Sequence, residues 1–351
     1  MAYGPGQRDQ HTAVFDSVTN QMIVFGGTDL GTANYNDLWL AVNVITSTCT
    51  PCQLQWTLPS PSGTPPAGRS GHSAVYDSLN SRMIVFGGAL GFPSPCANDV
   101  WVLDRANGVG GVSNWTQLSP SGTQPTPRTG HASAYDPSTN RMIIFGGNDC
   151  NGSYLADAWV LTHANGLGGA PAWIQLCPSG SLPPMRAYMA AAYNSSTNSL
   201  VVYGGTNGTE LSDVWVLSGA NGRPRHPAWN ELSPQGTAPA ARHGQASAYD
   251  ATNDIMIVCG GSTAQGVVGD TWTLSNANGG GGGPTWAMLV PGAHAGPQYY
   301  LHAAIYDPAS NEFVSFGGIP AKASTPTTAD DFMFVLTQAN GLRPRSLPEA
   351  P

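Results

Sequence analysis

The chain has 351 residues, of which only 10% are charged, and carries a formal net charge of −8 with a single lysine, Lys322. That balance leaves no basic stripe for DNA or RNA, and no apolar run approaches the length of about 18 residues that a membrane-spanning helix needs. The 44 glycines and 29 prolines, with β-branched and aromatic residues filling the apolar runs, point to many short strands and away from helix.

Taken in order, the chain repeats one unit six times. A first strand closes on an aromatic residue and an acid or amide: Phe15-Asp16, Tyr76-Asp77, Tyr135-Asp136, Tyr193-Asn194, Tyr249-Asp250 and Tyr306-Asp307, at intervals of 56 to 61 residues. A polar turn and a second apolar run follow, ended each time by a glycine pair, from Gly26-Gly27 to Gly317-Gly318. That pattern is a β-hairpin ending where a side chain cannot be accommodated. A third strand carries Asp-x-Trp, with tryptophans at 39, 101, 159, 215 and 272; the sixth copy reads Asp331-Phe332-Met333-Phe334. An Ala-Asn-Gly turn recurs at 106, 164, 220, 277 and 339, suited to positive φ. A fourth strand then starts near Trp56, Trp115, Trp173, Trp229 and Trp286 and runs into a Pro/Gly loop.

The repeats begin near residues 8, 69, 128, 186, 242 and 299, and a regular repeat of this size is expected to fold as one domain, 1–351, a ring or solenoid. Only five repeats have a Trp-led fourth strand. The expectation is that a terminal segment, Met1 to Gln7 or Arg345 to Pro351, fills the gap, or that the natural chain is longer.

Four strands per unit, Gly-Gly after the second, and tryptophan in the third and fourth resemble the kelch repeat, and the resemblance covers nearly the whole chain. It implies an all-β fold, a six-bladed β-propeller of four-stranded antiparallel blades. In it the post-Gly-Gly loops and the Pro-rich loops before each first strand share one face at the mouth of a central channel. It also implies an interaction scaffold, although a fold alone does not set a function.

Positions repeated in every blade read first as scaffold, and positions that break the repeat as the better functional candidates. Arg-x-x-His opens three blades at Arg8/His11, Arg69/His72 and Arg128/His131, with His302 in the sixth and Met189 and Gln245 in the fourth and fifth. His11, His72, His131 and His302 at a channel mouth are candidate metal ligands, and a metal there is the one cofactor considered; none is otherwise expected. For an enzyme, His72, His131 and His302 are the candidate bases and Tyr188 and Tyr299 the proton donors. For a binding module, Arg69, Arg128, Arg186 and Arg242, with Tyr35, Tyr154, Tyr188, Tyr299 and Tyr300, are expected on the loop face, alongside Phe92 and the acids Asp29, Asp149 and Glu210. Aromatic platforms and planar guanidinium donors suit sugars, carboxylates and peptides.

Cys96 and Cys150 fall in post-Gly-Gly loops of neighbouring blades and are expected to form a disulfide. Cys49 and Cys52 read as a local one, and Cys177 and Cys259 as core thiols. Loop cysteines, scarce lysine and low charge favour a secreted or extracytoplasmic protein, although the chain begins Met-Ala-Tyr-Gly with no signal peptide and a cytoplasmic place stays open. The expected function is a module that holds a glycan, peptide or protein partner on the loop face. The alternative is a carbohydrate-acting lyase, isomerase, hydrolase or metal-dependent oxidase working at the channel mouth.

Overall fold

A computed structural model describes residues 4–45, 54–91, 95–223, 226–289, 298–321 and 333–342. The fold is all-β. Blade one comprises Thr12–Asp16, Gln21–Phe25, Leu38–Val42 and Gln55–Thr57; blade two, Ser73–Asp77, Arg82–Ala89, Cys96–Asp104 and Asn114–Leu118; blade three, Ala132–Asp136, Arg141–Asn148, Tyr154–Thr162 and Ala172–Gln175. Blade four comprises Ala190–Asn194, Ser199–Tyr203, Val214–Ser218 and Ala228–Leu232; blade five, Ala246–Asp250, Ile255–Cys259, Thr271–Ser275 and Thr285–Leu289. Blade six has three strands among the described residues, Ala303–Asp307, Glu312–Phe316 and Met333–Thr337. Among the described residues no helix is long and apolar enough to cross a membrane.

Each hairpin between first and second strands turns at a residue in the left-handed region. Asn20, Ser81, Asn140, Asn198, Asp254 and Asn311 have φ between 52° and 57°, a conformation that short polar side chains tolerate. The glycine pairs are required for a different reason. A Cβ on Gly26 would lie 2.8 Å from His72 Cε1 in the next blade, and one on Gly27 would lie 2.7 Å from His11 Cβ in its own blade. The first glycine thus lets the following blade approach, and the second lets the blade's own entry segment cross over it.

The six first strands lie side by side around the axis, and Ala303–Asp307 packs against Thr12–Asp16 to close the ring. Between blades, each fourth-strand tryptophan stacks on the aromatic residue that precedes the glycine pair of the blade before. Trp115 meets Phe25 at 5.0 Å, Trp173 meets Phe86 at 5.0 Å, Trp229 meets Phe145 at 4.8 Å and Trp286 meets Tyr203 at 4.8 Å. Trp56 crosses the closure to Phe316 at 5.1 Å. Blade five alone has a non-aromatic residue in that slot, the buried Cys259, and it faces the blade with no described fourth strand. Of the terminal segments expected to supply that strand, Gly4 to Gln7 carry none, and residues 1–3 and Arg345 to Pro351 lie outside the described residues.

On the face opposite the glycine pairs, the turn asparagine of one blade reaches back to the hairpin aspartate of the blade before. Asn107 Nδ2 donates to Asp16 at 2.7 Å, Asn165 to Asp77 at 2.6 Å, Asn221 to Asp136 at 2.6 Å and Asn340 to Asp250 at 2.9 Å. These bonds are buried, where an unpaired carboxylate is costly.

Candidate functional site

The first strand of each blade enters from the face that bears the glycine pairs, because Thr12 pairs with Phe25 and each later blade repeats that register. Everything at the channel mouth is therefore set by the four residues that precede the strand.

The first of the four is arginine in five blades. Arg8, Arg69, Arg128, Arg186 and Arg242 form forked ion pairs with Asp37, Asp99, Asp157, Asp213 and Asp270, the aspartates of the Asp-x-Trp motifs, at 2.6–2.8 Å. In blade three, Arg128 Nη1 also donates to the Gly146 carbonyl at 2.9 Å and Nε to the Thr126 carbonyl at 3.0 Å, while Trp159 Nε1 donates to Asp157 at 2.7 Å. Burial by itself would raise the five aspartate carboxyls, but the arginine hydrogen bonds and charge outweigh it and hold them below the ordinary 3.8. The guanidinium groups, expected on an open loop face, are 0–2% exposed. Arg69, Arg128, Arg186 and Arg242 are thus structural clasps, with their donors consumed inside the blade.

The fourth position holds His11, His72, His131, Met189, Gln245 and His302, wedged between blades. Each of three imidazoles meets the preceding blade's aromatic edge-on: His72 on Phe25 and His11 on Phe316 at 5.3 Å, and His131 on Phe86 at 5.2 Å. In blade five, Gln245 Nε2 donates to the Tyr203 carbonyl at 3.1 Å across the same gap. His72 Nε2 lies 2.9 Å from Thr12 Oγ1 and His131 Nε2 lies 2.7 Å from Ser73 Oγ. Burial, with the charge of the neighbouring arginine, pushes His11 and His131 down to about 3, and burial takes His302 down to about 4. Burial also takes His72 well below 6.5; the Phe25 carbonyl opposes that shift, although Nδ1 has no partner of hydrogen-bonding geometry.

The third position is in the left-handed region in every blade: Gln10, Gly71, Gly130, Tyr188, Gly244 and Leu301, with φ of 53° to 64°. Their amides form a closed collar. Each N–H donates to the carbonyl of the equivalent residue in the preceding blade, and Gln10 donates to Leu301, at 2.6–2.9 Å. Three glycines leave room that three large side chains fill. A Cβ on Gly130 would sit 2.8 Å from the Tyr188 ring, and one on Gly244 would sit 3.1 Å from Leu301. Tyr188 and Gln10, from opposite blades, meet across the axis with the hydroxyl 3.4 Å from Oε1. These residues line a mouth cavity of about 150 Å³, and a second of about 220 Å³ runs below it between Thr12, Ser73, Ser133, Ser247 and small neighbours.

Comparison with known proteins agrees with this geometry. Residues 46–223 match the KLHDC2/KLHL20/DRC7 Kelch-repeats domain family. The chain belongs to the kelch-repeat family. This kelch chain is 29% identical over 276 residues to host cell factor 1 of Rattus norvegicus, a match that takes in 74% of the chain and 12% of that much longer relative. It is 28% identical over 256 residues to host cell factor 2 of Homo sapiens, covering 68% of the chain and 29% of the relative. The solved structure of YjhT superposes with a TM-score of 0.63 at 14% identity, covering 95% of this chain and 99% of that one, which speaks to fold alone.

On the kelch propeller, the remaining candidates fall into two sets. Tyr35 is half-buried and engaged by its own blade, with the Arg8 guanidinium 4.7 Å above its ring. Tyr188, Tyr154, Tyr299 and Tyr300 are half-buried on the mouth face. Tyr300 meets His243 edge-on at 6.2 Å, and His243 Nδ1 faces Glu210 at 3.6 Å. This trio spans blades four to six; Tyr300 and Glu210 were expected on this face, whereas His243, Gln10 and Leu301 were missed by reasoning on repeats. The usable signal was the second entry position, Asp9, Ser70, Thr129, Ala187, His243 and Tyr300, where no two blades agree. The four histidines expected as bases or ligands are 5–9% exposed, and no three metal-ligating side chains stand together among the described residues.

Cys96 and Cys150 are disulfide-bonded, their Cα atoms 5.7 Å apart, and staple the long hairpins that blades two and three raise above the face. Cys259 is buried, whereas Cys177 lies just past the fourth strand and is exposed, so it is not a core thiol. Cys49, Cys52 and Phe92 lie outside the described residues.

Proposed function

We propose that this kelch propeller is a protein-binding module that holds a peptide segment of its partner at the channel mouth, over Tyr188, His243 and Tyr300. The observation that carries the reading is the separation of roles among the entry residues. Arginines and histidines that recur are consumed between and within blades, while the side chains that differ from blade to blade gather on one face. The disulfide-stapled hairpins of blades two and three stand beside blades four and five, whose loops after the glycine pair are shorter. A rigid aromatic floor beside such hairpins suits a partner segment, since half-buried aromatics are the usual anchors of interfaces.

The test is selection of binding peptides from a displayed library, followed by affinity measurement on Tyr188→Gly/Tyr300→Ala. Glycine is the residue three other blades carry at the first of these positions, so that change relieves backbone strain. Loss of two anchors is expected to weaken binding by about tenfold or more, with an unchanged melting temperature. Undiminished peptide binding, or glycan-array binding lost through the same two substitutions, would overturn the peptide assignment.

We further propose that the protein works outside the reducing cytosol, on the strength of the Cys96–Cys150 staple, because such bonds persist in oxidising compartments. Non-reducing peptide mapping of protein from its native source is expected to recover the linked pair. Free thiols at both positions would contradict the assignment.

A further inference from the structure

We infer that Asn151 is a site of spontaneous covalent modification, where the folded chain converts asparagine into aspartate and isoaspartate; this is independent of the binding reading above. The reaction needs the backbone nitrogen that follows an asparagine to reach its carboxamide carbon, and a following glycine hinders that approach least. Seven Asn-Gly pairs occur, beginning at 107, 151, 165, 207, 221, 278 and 340. As dipeptides they are equivalent, and the fold separates them.

Five of the seven are the repeated turns between third and fourth strands, and there both reacting groups are held. The glycine N–H donates to a carbonyl earlier in the turn, Gly108 to Arg105 and Gly166 to His163 at 2.9 Å. The asparagine Oδ1 accepts from the amide beyond the glycine, Val109 to Asn107 at 3.1 Å and Leu167 to Asn165 at 2.8 Å. Asn221, Asn278 and Asn340 repeat both bonds. At Asn207 threonines supply the two restraints: Gly208 N–H donates to Thr206 Oγ1 and Thr209 Oγ1 to Asn207 Oδ1, each at 3.1 Å. Asn151 has neither. Among the described residues Gly152 N–H has no acceptor and Asn151 Oδ1 no donor, because the amide beyond the glycine, Ser153 N–H, is taken by Asp149 Oδ1 at 2.9 Å. The carboxamide keeps one bond, Nδ2 to the Asp149 carbonyl at 3.3 Å, on an exposed loop where a Cβ on Gly152 would meet nothing within 4 Å. Exposed loop tips are where such change concentrates.

The step balances with water alone. The Gly152 nitrogen gives up its proton to solvent and bonds to Asn151 Cγ, solvent returns a proton to the departing ammonia, and water opens the resulting cyclic imide at either carbonyl. One water enters and one ammonia leaves. The loop gains a negative charge beside Cys150, on the hairpin that the disulfide ties to blade two. The same change at Asn165 would set a carboxylate against Asp77, where a buried hydrogen bond of 2.6 Å now joins two blades. The turn bonds thus restrain asparagines on which the ring depends, and Asn151 carries no such contact.

The test is peptide mapping by mass spectrometry of the intact, disulfide-bonded protein after incubation in mildly alkaline buffer, beside the same protein unfolded in urea. In the folded protein Asn151 is expected to convert at least about tenfold faster than any turn asparagine, because two hydrogen bonds must open first at the turns. In urea all seven Asn-Gly pairs are expected to convert at similar rates. Asn151→Gln, whose longer side chain disfavours the ring closure, is expected to abolish the acidic shift of the incubated protein on isoelectric focusing and to leave the melting temperature unchanged. A turn asparagine that converts as fast as Asn151 in the folded protein, the same ranking in urea, or an acidic shift that persists in Asn151→Gln overturns the inference.

Discussion

Between pH 6.5 and about 4 the propeller is expected to lose stability at roughly 1.4 kcal/mol per pH unit for each of His11, His131 and His302, with the buried His72 acting in the same direction. In the unfolded chain these imidazoles take up protons below their ordinary 6.5. In the folded ring His11 and His131 stay neutral down to about 3 and His302 to about 4. The unfolded state therefore binds more protons throughout the window, and stability falls as pH falls. The carboxylates of the Arg–Asp clasps act later, because their folded values lie below 3.8 and their contribution is lost only as pH drops under about 4. Urea midpoints at pH 7, 6 and 5 measure the slope. His131→Gln is expected to reduce it by one histidine's share while leaving stability at pH 7 nearly unchanged, because Gln245 already fills the equivalent slot and bonds across the same gap. An unaltered slope would show that the imidazoles titrate in the folded ring.

Arg128→Ala is expected to destabilise the protein by about 3–5 kcal/mol, the usual result of removing one partner from a buried ion pair. The substitution leaves Asp157, only 24% exposed, without its fork, and orphans the Gly146 carbonyl. Arg128→Lys should recover part of the loss, since an ammonium keeps the charge but cannot donate in two parallel bonds. Chemical denaturation measures both, and a loss under about 1 kcal/mol for alanine would place the clasp among weak surface pairs. Blade six indicates how local the clasp is, for Tyr299 stands there in place of arginine and the blade still closes against blade one.

The sequence by itself determined the scaffold. Six hairpins ending in Gly-Gly, the Asp-x-Trp strands and the Trp-led fourth strands all lie within one repeat, where alternation and turn chemistry act over a few residues, and the fold shows them in that order. The disulfide pair was legible for a similar reason, since Cys96 and Cys150 occupy corresponding loops of adjacent units. Even the clasp had a trace: every blade with the entry arginine also has the aspartate of Asp-x-Trp. The loop position of Arg69 and Arg128 suggested exposure because the aspartate partner lies about 30 residues on, across the sheet.

Only the tertiary structure decided what stands at the mouth. Gln10 and Tyr188 are 178 positions apart and meet because blades one and four oppose each other across a closed ring. Glu210, His243 and Tyr300 belong to three successive blades and share no local pattern. Likewise, the histidines read as scaffold first and as candidate ligands or bases second while only their imidazole and leading position were visible, and their place as wedges was decided once Phe25, Phe86 and Phe316 were seen against them. Periodicity encodes which face of a strand is buried. Which blade's side chain arrives opposite which other is fixed by the number of blades and the closure of the ring, a property of all six units together.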